Sequence, residues 1–217
     1  AETSDVKPEA AKKFTIGTRI SQTADDFVLA SYPGVFCHGS LDYGTQFLLE
    51  TLQLFDPTTE NEKLNILDLG CGTGALGITA AKRFPNSEVT FVDESFAAIE
   101  SVKESLRLTS LDHLADQYQC IATHCLAGIA DNSQDLILNN PPFHDAAART
   151  SSIAMEMFQE SERVLRIGGQ LQVVANKHLG YRPRLKEIFG NCKEMQDNGK
   201  FVVLSCIKKE TLRAVNP

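Results

Sequence analysis

Apolar and polar residues follow two rhythms along this chain, and the switches between them mark its elements. LNILDLG is an apolar run stopped by glycine at Gly70, the pattern of a strand buried on both faces. ALGITAAKRF repeats its apolar residues at helical spacing, and PNSEVTFVD reads as a turn and a second strand. SFAAIESVKESLRLTS predicts a helix with Ser95 at its N-cap and Ile99, Val102 and Leu106 on one face. YQCIATHC, SQDLILNN and GGQLQVVAN predict three more strands, with the helix IAMEMFQESERVLR before the last. YRPRLKEIFG is a helix. NCKEMQDNGKFVVLSCIKK is a closing hairpin around Asp197-Asn198-Gly199, the strongest short-range turn signal in the chain.

The beginning is less regular. Residues 1–12 form a polar lead-in, and FTIGTRI and DDFVLAS predict a hairpin or cover element split by SQTA. SYPGVFCHGSLDYG is a loop, and GTQFLLETLQLF a helix. Alternation of strands and helices predicts one α/β domain of three layers. Its sheet is open and mostly parallel, with antiparallel pairing from the last hairpin at an edge. Residues 1–33 are expected to be an N-terminal arm, and 34–217 the main domain.

Composition narrows the class. The chain has 217 residues, 42% hydrophobic and 23% charged, enough to bury a core and too apolar for bulk disorder. No apolar run approaches the roughly 18–20 residues that span a bilayer, and AETSDVKPEA lacks the layout of a secretion signal. Six cysteines include no CxxC pair and no metal-ligand spacing, so no metal is expected and a reduced, cytoplasmic compartment is. The net charge of −7 argues against a surface coated in basic groups. It hides an asymmetry: residues 1–145 carry −12 and residues 146–217 carry +5, a hint of a polyanionic partner.

Asp68-Leu69-Gly70-Cys71-Gly72-Thr73-Gly74 lies between the first strand of the regular region and its helix, where a doubly wound sheet binds ligands. Asp93 ends the next strand, a suitable place for a carboxylate that accepts both hydroxyls of a ribose. Gly72-x-Gly74-x-x-Gly77 also fits the dinucleotide fingerprint, and a tight turn serving only packing is the third reading. A pyrophosphate has no use for the extra anion Asp68, whereas the sulfonium and ammonium of S-adenosylmethionine do.

Asn140-Pro141-Pro142-Phe143 closes the fourth core strand. Two prolines give up two backbone donors and hold the chain extended. The Asn140 oxygen and the Pro141 carbonyl can then act as paired acceptors for an exocyclic NH2, with Phe143 as a stacking face. Such an amine is a poor nucleophile, so positioning and electrostatics would carry the rate. A rigid loop with a surface Phe is the alternative. His144 invites a general-base role that this chemistry does not require.

Taken together, ILDLGCGTG, Asp93 and NPPF resemble the class I S-adenosylmethionine-dependent methyltransferases acting on amino groups. PGVFCHGSLDYGTQFLLETL, FVDES, NNPPFH and VANKHLGY resemble the bacterial ribosomal RNA guanine-N2 methyltransferases. The C-terminal run is more like the large-subunit enzymes than the small-subunit ones. The resemblance implies a Rossmann-like seven-stranded sheet with one antiparallel strand, and methyl transfer to N2 of a guanine in ribosomal RNA, 23S before 16S. It maps Asp68, Gly70, Cys71, Gly72, Gly74, Asp93 and Glu94 onto the cofactor motifs, Asn140 to Phe143 onto the target-base motif, and Phe36 and the Gly39–Thr45 loop over the cofactor. His124 stands where an acidic or amide residue usually meets the adenine amine. It also implies a further N-terminal methyltransferase-like domain for which this chain has no room. Adenine N6, a glutamine amide, and a cofactor-holding domain without turnover remain alternatives. Arg149, Lys177, His178, Arg182, Arg184 and Lys186 are candidates for gripping RNA phosphates, or else form a solvated helix face.

Overall fold

The computed structural model describes residues 11–19, 24–36, 39–52, 63–111, 116–142 and 147–210, with the backbone alone at 16–19, 24–26 and 147–151. Cys37, Phe143, His144 and most of the SQTA linker lie outside the described residues.

The predicted N-terminal hairpin is present as β1 (Lys12–Arg19) and β2 (Ala24–Ser31), paired antiparallel. After α1 (Tyr43–Leu52) the chain alternates: β3 (Asn65–Leu69), α2 (Ala75–Arg83), β4 (Glu88–Asp93), α3 (Phe96–Leu108) and β5 (Tyr118–Ala122). Then come β6 (Gln134–Asn139), α4 (Ala147–Val164), β7 (Leu165–Asn176), α5 (Tyr181–Phe189), β8 (Lys193–Asp197) and β9 (Phe201–Ile207). The main sheet has the order β5-β4-β3-β6-β7-β9-β8. β5 to β7 run parallel, and β9 is inserted antiparallel between β7 and β8, the architecture the sequence predicts.

Alternation along β3 divides the core between the two faces. Ile66 joins the cluster with α1, α2 and α3, while Leu67 and Leu69 join the one with α4 and α5. Fully burying a side chain such as Phe91, Phe158 or Leu48 contributes about 1.5–3 kcal/mol. Gly77 sets the closeness of the first layer, since a Cβ there would lie 2.3 Å from Phe91 Cε1.

Two elements differ from the sequence reading. The fourth helix begins earlier, because the alanines around 147 extend it. β7 begins at Leu165, before the glycine pair, because Leu165 pairs with Gln134 ahead of a bulge after which Leu136 pairs with Gln170. Lys208 closes that bulge: Gly168 N–H donates to Lys208 O at 2.8 Å, and Lys208 N–H to Gly169 O at 2.9 Å. α3 has its expected Ser95 cap, with Ala98 N–H donating to Ser95 Oγ at 3.4 Å. It also uses two serines to hold the hairpin. Ala30 N–H donates to Ser105 Oγ at 2.9 Å and Tyr32 N–H to Ser101 Oγ at 3.0 Å. Among the described residues no helix is long and apolar enough to cross a membrane, and the described cysteines are free thiols.

Candidate active site

The parallel strands end along one edge of the sheet, and the loops leaving β3, β4, β5 and β6 enclose a cavity of about 520 Å³. The segment before α1 forms its other wall through Phe36, Asp42 and Thr45. Gly70, Gly72 and Gly74 have φ of 72°, 54° and 82°, a left-handed backbone that only glycine adopts readily. The loop folds back on β4: Gly70 N–H and Cys71 N–H both donate to Val92 O, at 2.8 and 3.0 Å.

Asp93 caps this arrangement. Its Oδ2 accepts from Gly72 N–H at 3.0 Å and its Oδ1 from Ser95 N–H at 2.9 Å. Burial raises its pKa above the usual carboxylate range, against the lowering effect of those two donors. Asp68 is buried beneath the loop and does not line the cavity; its Oδ2 accepts from Gly77 N–H at 2.8 Å. Its Oδ1 has no hydrogen-bond partner, and burial pushes its pKa up to about 8. The Cys71 thiol is buried and lifted well above its ordinary value, first by desolvation and then by the nearby carboxylates, so it stays protonated.

Electrostatics separates the cofactor classes left open by the glycine pattern. Asp42, Asp93, Glu94 and Glu156 line the cavity, and among the described residues no Lys or Arg does. The N–H groups of Gly70, Cys71, Gly72, Gly74 and Gly77 already donate within the protein. An acidic cavity with its loop amides engaged is poor ground for a pyrophosphate and good ground for a cation.

Most of the expected residues meet here. Phe36, Thr45, Cys71, Glu94 and His124 line the cavity together with Asn140, Pro141 and Pro142. Gly74 shapes the turn from behind, since a Cβ there would lie 3.1 Å from Val102. His124 Nε2 lies 2.9 Å from Glu156 Oε1, and its Nδ1 lies 3.8 Å from Glu94 Oε2. The basic candidates stand outside the cavity. Lys177 follows the end of β7 and pairs with Asp197; Arg184 pairs with Glu187 at 3.3 Å; Arg182 is exposed on the first turn of α5. Arg149 belongs to the first turn of α4, where the backbone alone is described.

Two contributors escaped the sequence reading. Asn139 is buried and donates from Nδ2 to Leu69 O at 2.9 Å, tying β6 to β3 just below the loop. Asp42 is the side-chain cap of α1: its Oδ1 accepts from Gly44 N–H at 2.8 Å and Thr45 N–H at 3.2 Å. Its carboxylate also receives the Asn140 amide, with Nδ2 to Oδ2 at 3.2 Å. A capping aspartate before an apolar-periodic run was the available signal for Asp42, and its reach across the cavity had none.

The chain is similar to known proteins over most of its length. The model of the methyltransferase small domain matches residues 26–205. Ribosomal RNA large subunit methyltransferase G of Pseudoalteromonas translucida is 42% identical over 183 residues, covering 84% of this chain and 46% of that protein. The protein of the same name from Streptomyces coelicolor is 41% identical, covering 83% of this chain and 46% of its own length. The chain thus spans about half the length of the curated relatives it matches. Among solved structures, the T. thermophilus 16S rRNA N2 methyltransferase RsmC, in complex with AdoMet and guanosine, superposes with a TM-score of 0.78 at 26% identity. That match covers 96% of this chain and 53% of RsmC.

Proposed function

The chain belongs to the methyltransferase small-domain family, and from that premise we propose that it transfers a methyl group from S-adenosylmethionine to the exocyclic N2 amine of a guanine in ribosomal RNA. The observation that carries this reading is the pairing, in one cavity, of an anionic cofactor wall with Asn140, whose Oδ1 is buried and without a partner. The large-subunit RNA is favoured over the small-subunit RNA because the relatives named for it are the more similar, at 42% identity against 26%. A cytoplasmic location follows from that substrate and agrees with the free thiols.

S-adenosylmethionine, when bound, supplies an electrophilic methyl on a cationic sulfur and leaves as S-adenosylhomocysteine. The residues present fit such a group. Asp93 offers carboxylate oxygens at the end of β4 for a ribose diol, and the acidic lining suits the positive charge. Glycines at positions 70 and 72 let the chain approach closely. His124, oriented by Glu156 at Nε2, lines the same cavity at the end of β5, where the resemblance expects a contact to the adenine.

At the reacting end, Asn140 Oδ1 and the Pro141 carbonyl accept the two N–H bonds of the amine, drawing its lone pair out of conjugation and holding it in line. No covalent intermediate with the protein is needed: the sulfur keeps the electron pair of the broken bond, and the methylated nitrogen gives up one proton to water. A guanine within a helix has to be extruded first, at a cost of a few kcal/mol, and stacking on Phe143 would return about 1–3 kcal/mol. On the rim, Lys200 stands 6.0 Å from the centroid of the exposed Tyr43 ring, a cation and aromatic pair suited to a strand of RNA. Lys177, whose backbone N–H donates to Lys200 O at 2.9 Å, adjoins this pair, and Arg182, Arg184 and Arg149 are further candidates for RNA phosphates.

The test incubates the protein with methyl-labelled S-adenosylmethionine and ribosomal RNA from a strain lacking the activity, followed by digestion to nucleosides. Label in N2-methylguanosine is expected. Label in N6-methyladenosine would move the protein to the adenine branch, and label in protein to the glutamine branch.

A further inference from the structure

Asn140 has three hydrogen-bond partners on its nitrogen and none on its oxygen. Nδ2 donates to Thr45 Oγ1 at 2.9 Å and to Asp42 Oδ2 and Oδ1 at 3.2 and 3.4 Å, while Oδ1 is buried and unpaired. An amide could turn over and exchange these roles. The donor count decides which way it sits. The carboxylate of Asp42 has no hydrogen to give, and the Thr45 hydroxyl spends its single hydrogen on Asp42 Oδ2. Thr45 can therefore only accept from Asn140, and Asp42 can only accept as well. Both neighbours demand the NH2 side.

We propose that Asp42, acting directly and through Thr45, fixes the orientation of the Asn140 amide and thereby reserves its Oδ1 for the amine being methylated. This rests on the reaction proposed above. Asp42 is a positioning residue, placed 98 positions from Asn140 in the chain and brought to it by the cap of α1. Oδ1 is left buried without a donor in the resting protein, an acceptor held open for one. The arriving N–H bonds supply it. Negative charge behind the amide also favours the oxygen as an acceptor while positive charge develops on the nucleophile.

Asp42→Asn separates this role from the helix cap. Asn caps a helix as well as Asp does, and its carbonyl oxygen can keep the Gly44 and Thr45 amides. Its NH2 then faces Thr45, so the hydroxyl becomes an acceptor on that side and a donor toward Asn140. The polarity of the chain reverses, and Asn140 turns its oxygen inward.

The experiment compares wild type with Asp42→Asn by two independent readouts. The first is the nuclear Overhauser effect between the Asn140 side-chain NH2 and the Thr45 methyl, measured without RNA. It is present in wild type and absent from the variant. The second is single-turnover methyl transfer to ribosomal RNA, expected to fall about tenfold to a hundredfold. The RNA concentration at half-saturation and the Tm should stay near wild type, and the S-adenosylmethionine Kd, with one anion fewer in the lining, should rise by much less than the rate falls. A variant that keeps the Overhauser effect, or that transfers methyl at the wild-type rate, overturns the proposal. So does a fall in rate accompanied by an equal fall in Tm or cofactor affinity, which would be structural damage. Wild type that methylates no RNA defeats the reaction proposed above, and the orientation is then decided by the first readout alone.

Discussion

The backbone N–H of Gly77 donates to Oδ2 of Asp68 over 2.8 Å, which turns the leading carboxylate of the glycine motif under the loop, away from the cavity lining. Asp68 thus anchors the first turn of α2 to the end of β3, and the field of its carboxyl reaches the cavity from beneath. With a pKa of about 8, it is largely a neutral acid near pH 7 while the cavity is empty of cations.

The sign of its pH dependence follows. An unfolded Asp ionises near 3.8, the folded one near 8, so its contribution to stability is complete below the lower value and is lost as pH rises through the upper one. Between them the slope is at most about 1.4 kcal/mol per pH unit. Thermal melting across pH 4–9 should show Tm falling from about pH 4 to about pH 8 and levelling off above it, and Asp68→Asn should flatten that fall. An unchanged slope in the variant would show that another group carries it.

Cation binding in the cavity should favour the ionised form of Asp68, so S-adenosylmethionine affinity should rise with pH up to about 8 and change by no more than tenfold per unit. Calorimetry in buffers of different ionisation enthalpy should detect proton release on binding. Asp68→Asn should release less.

Gly77→Ala tests the first core layer. In an open helix this change would stabilise by about 1 kcal/mol. Here the new Cβ would lie 2.3 Å from Phe91, so overpacking of about 1–3 kcal/mol should dominate. Adding Phe91→Leu should recover part of the lowered Tm, and additive losses in the double variant would refute the clash.

Asn140→Ala should abolish methyl transfer while changing S-adenosylmethionine affinity by less than about tenfold, since it removes the acceptor and leaves Asp93 and the glycine loop intact. Asp93→Ala should do the reverse, weakening cofactor binding by about tenfold or more, because it also releases the Gly72 and Ser95 amides.

On the rim, Arg182→Ala and Lys200→Ala should weaken RNA binding. Each should also make the slope of log affinity against log salt shallower by about 0.7–0.9 for every phosphate that side chain neutralises. An RNA titration at several salt concentrations distinguishes this from a solvated helix face, for which neither slope nor affinity would move.

The order of strands and helices was legible because β3, β4 and β6 are short apolar runs ended by Gly, Asp and Asn, and the helices between them carry apolar faces. The glycine loop, Asp93 and Asn140 were legible as local words in the sequence. What escaped depends on the far side of an interaction. Nothing near Asp68 tells that its carboxylate turns inward, because that depends on the Gly77 amide. Nothing near Ser101 and Ser105 tells that they receive the amides of Tyr32 and Ala30, some seventy residues earlier. Asp42 reads as a cap, and its second partner is supplied by a loop on the opposite wall of the cavity. The extra length of β7 hides in a glycine bulge, which a pattern of periods reads as an ending.

The insertion of β9 between β7 and β8 sets an order on assembly. Phe201, the first residue of β9, pairs with Asn176 and lies against Gly44 at the base of α1, beside the Asp42 cap. Without β9 the edge of β7 is open and the floor under α1 is missing. The wall holding Asn140 closes only when the last strand slides into the gap. A copy that lacks β9 presents an unpaired strand edge in place of a working site.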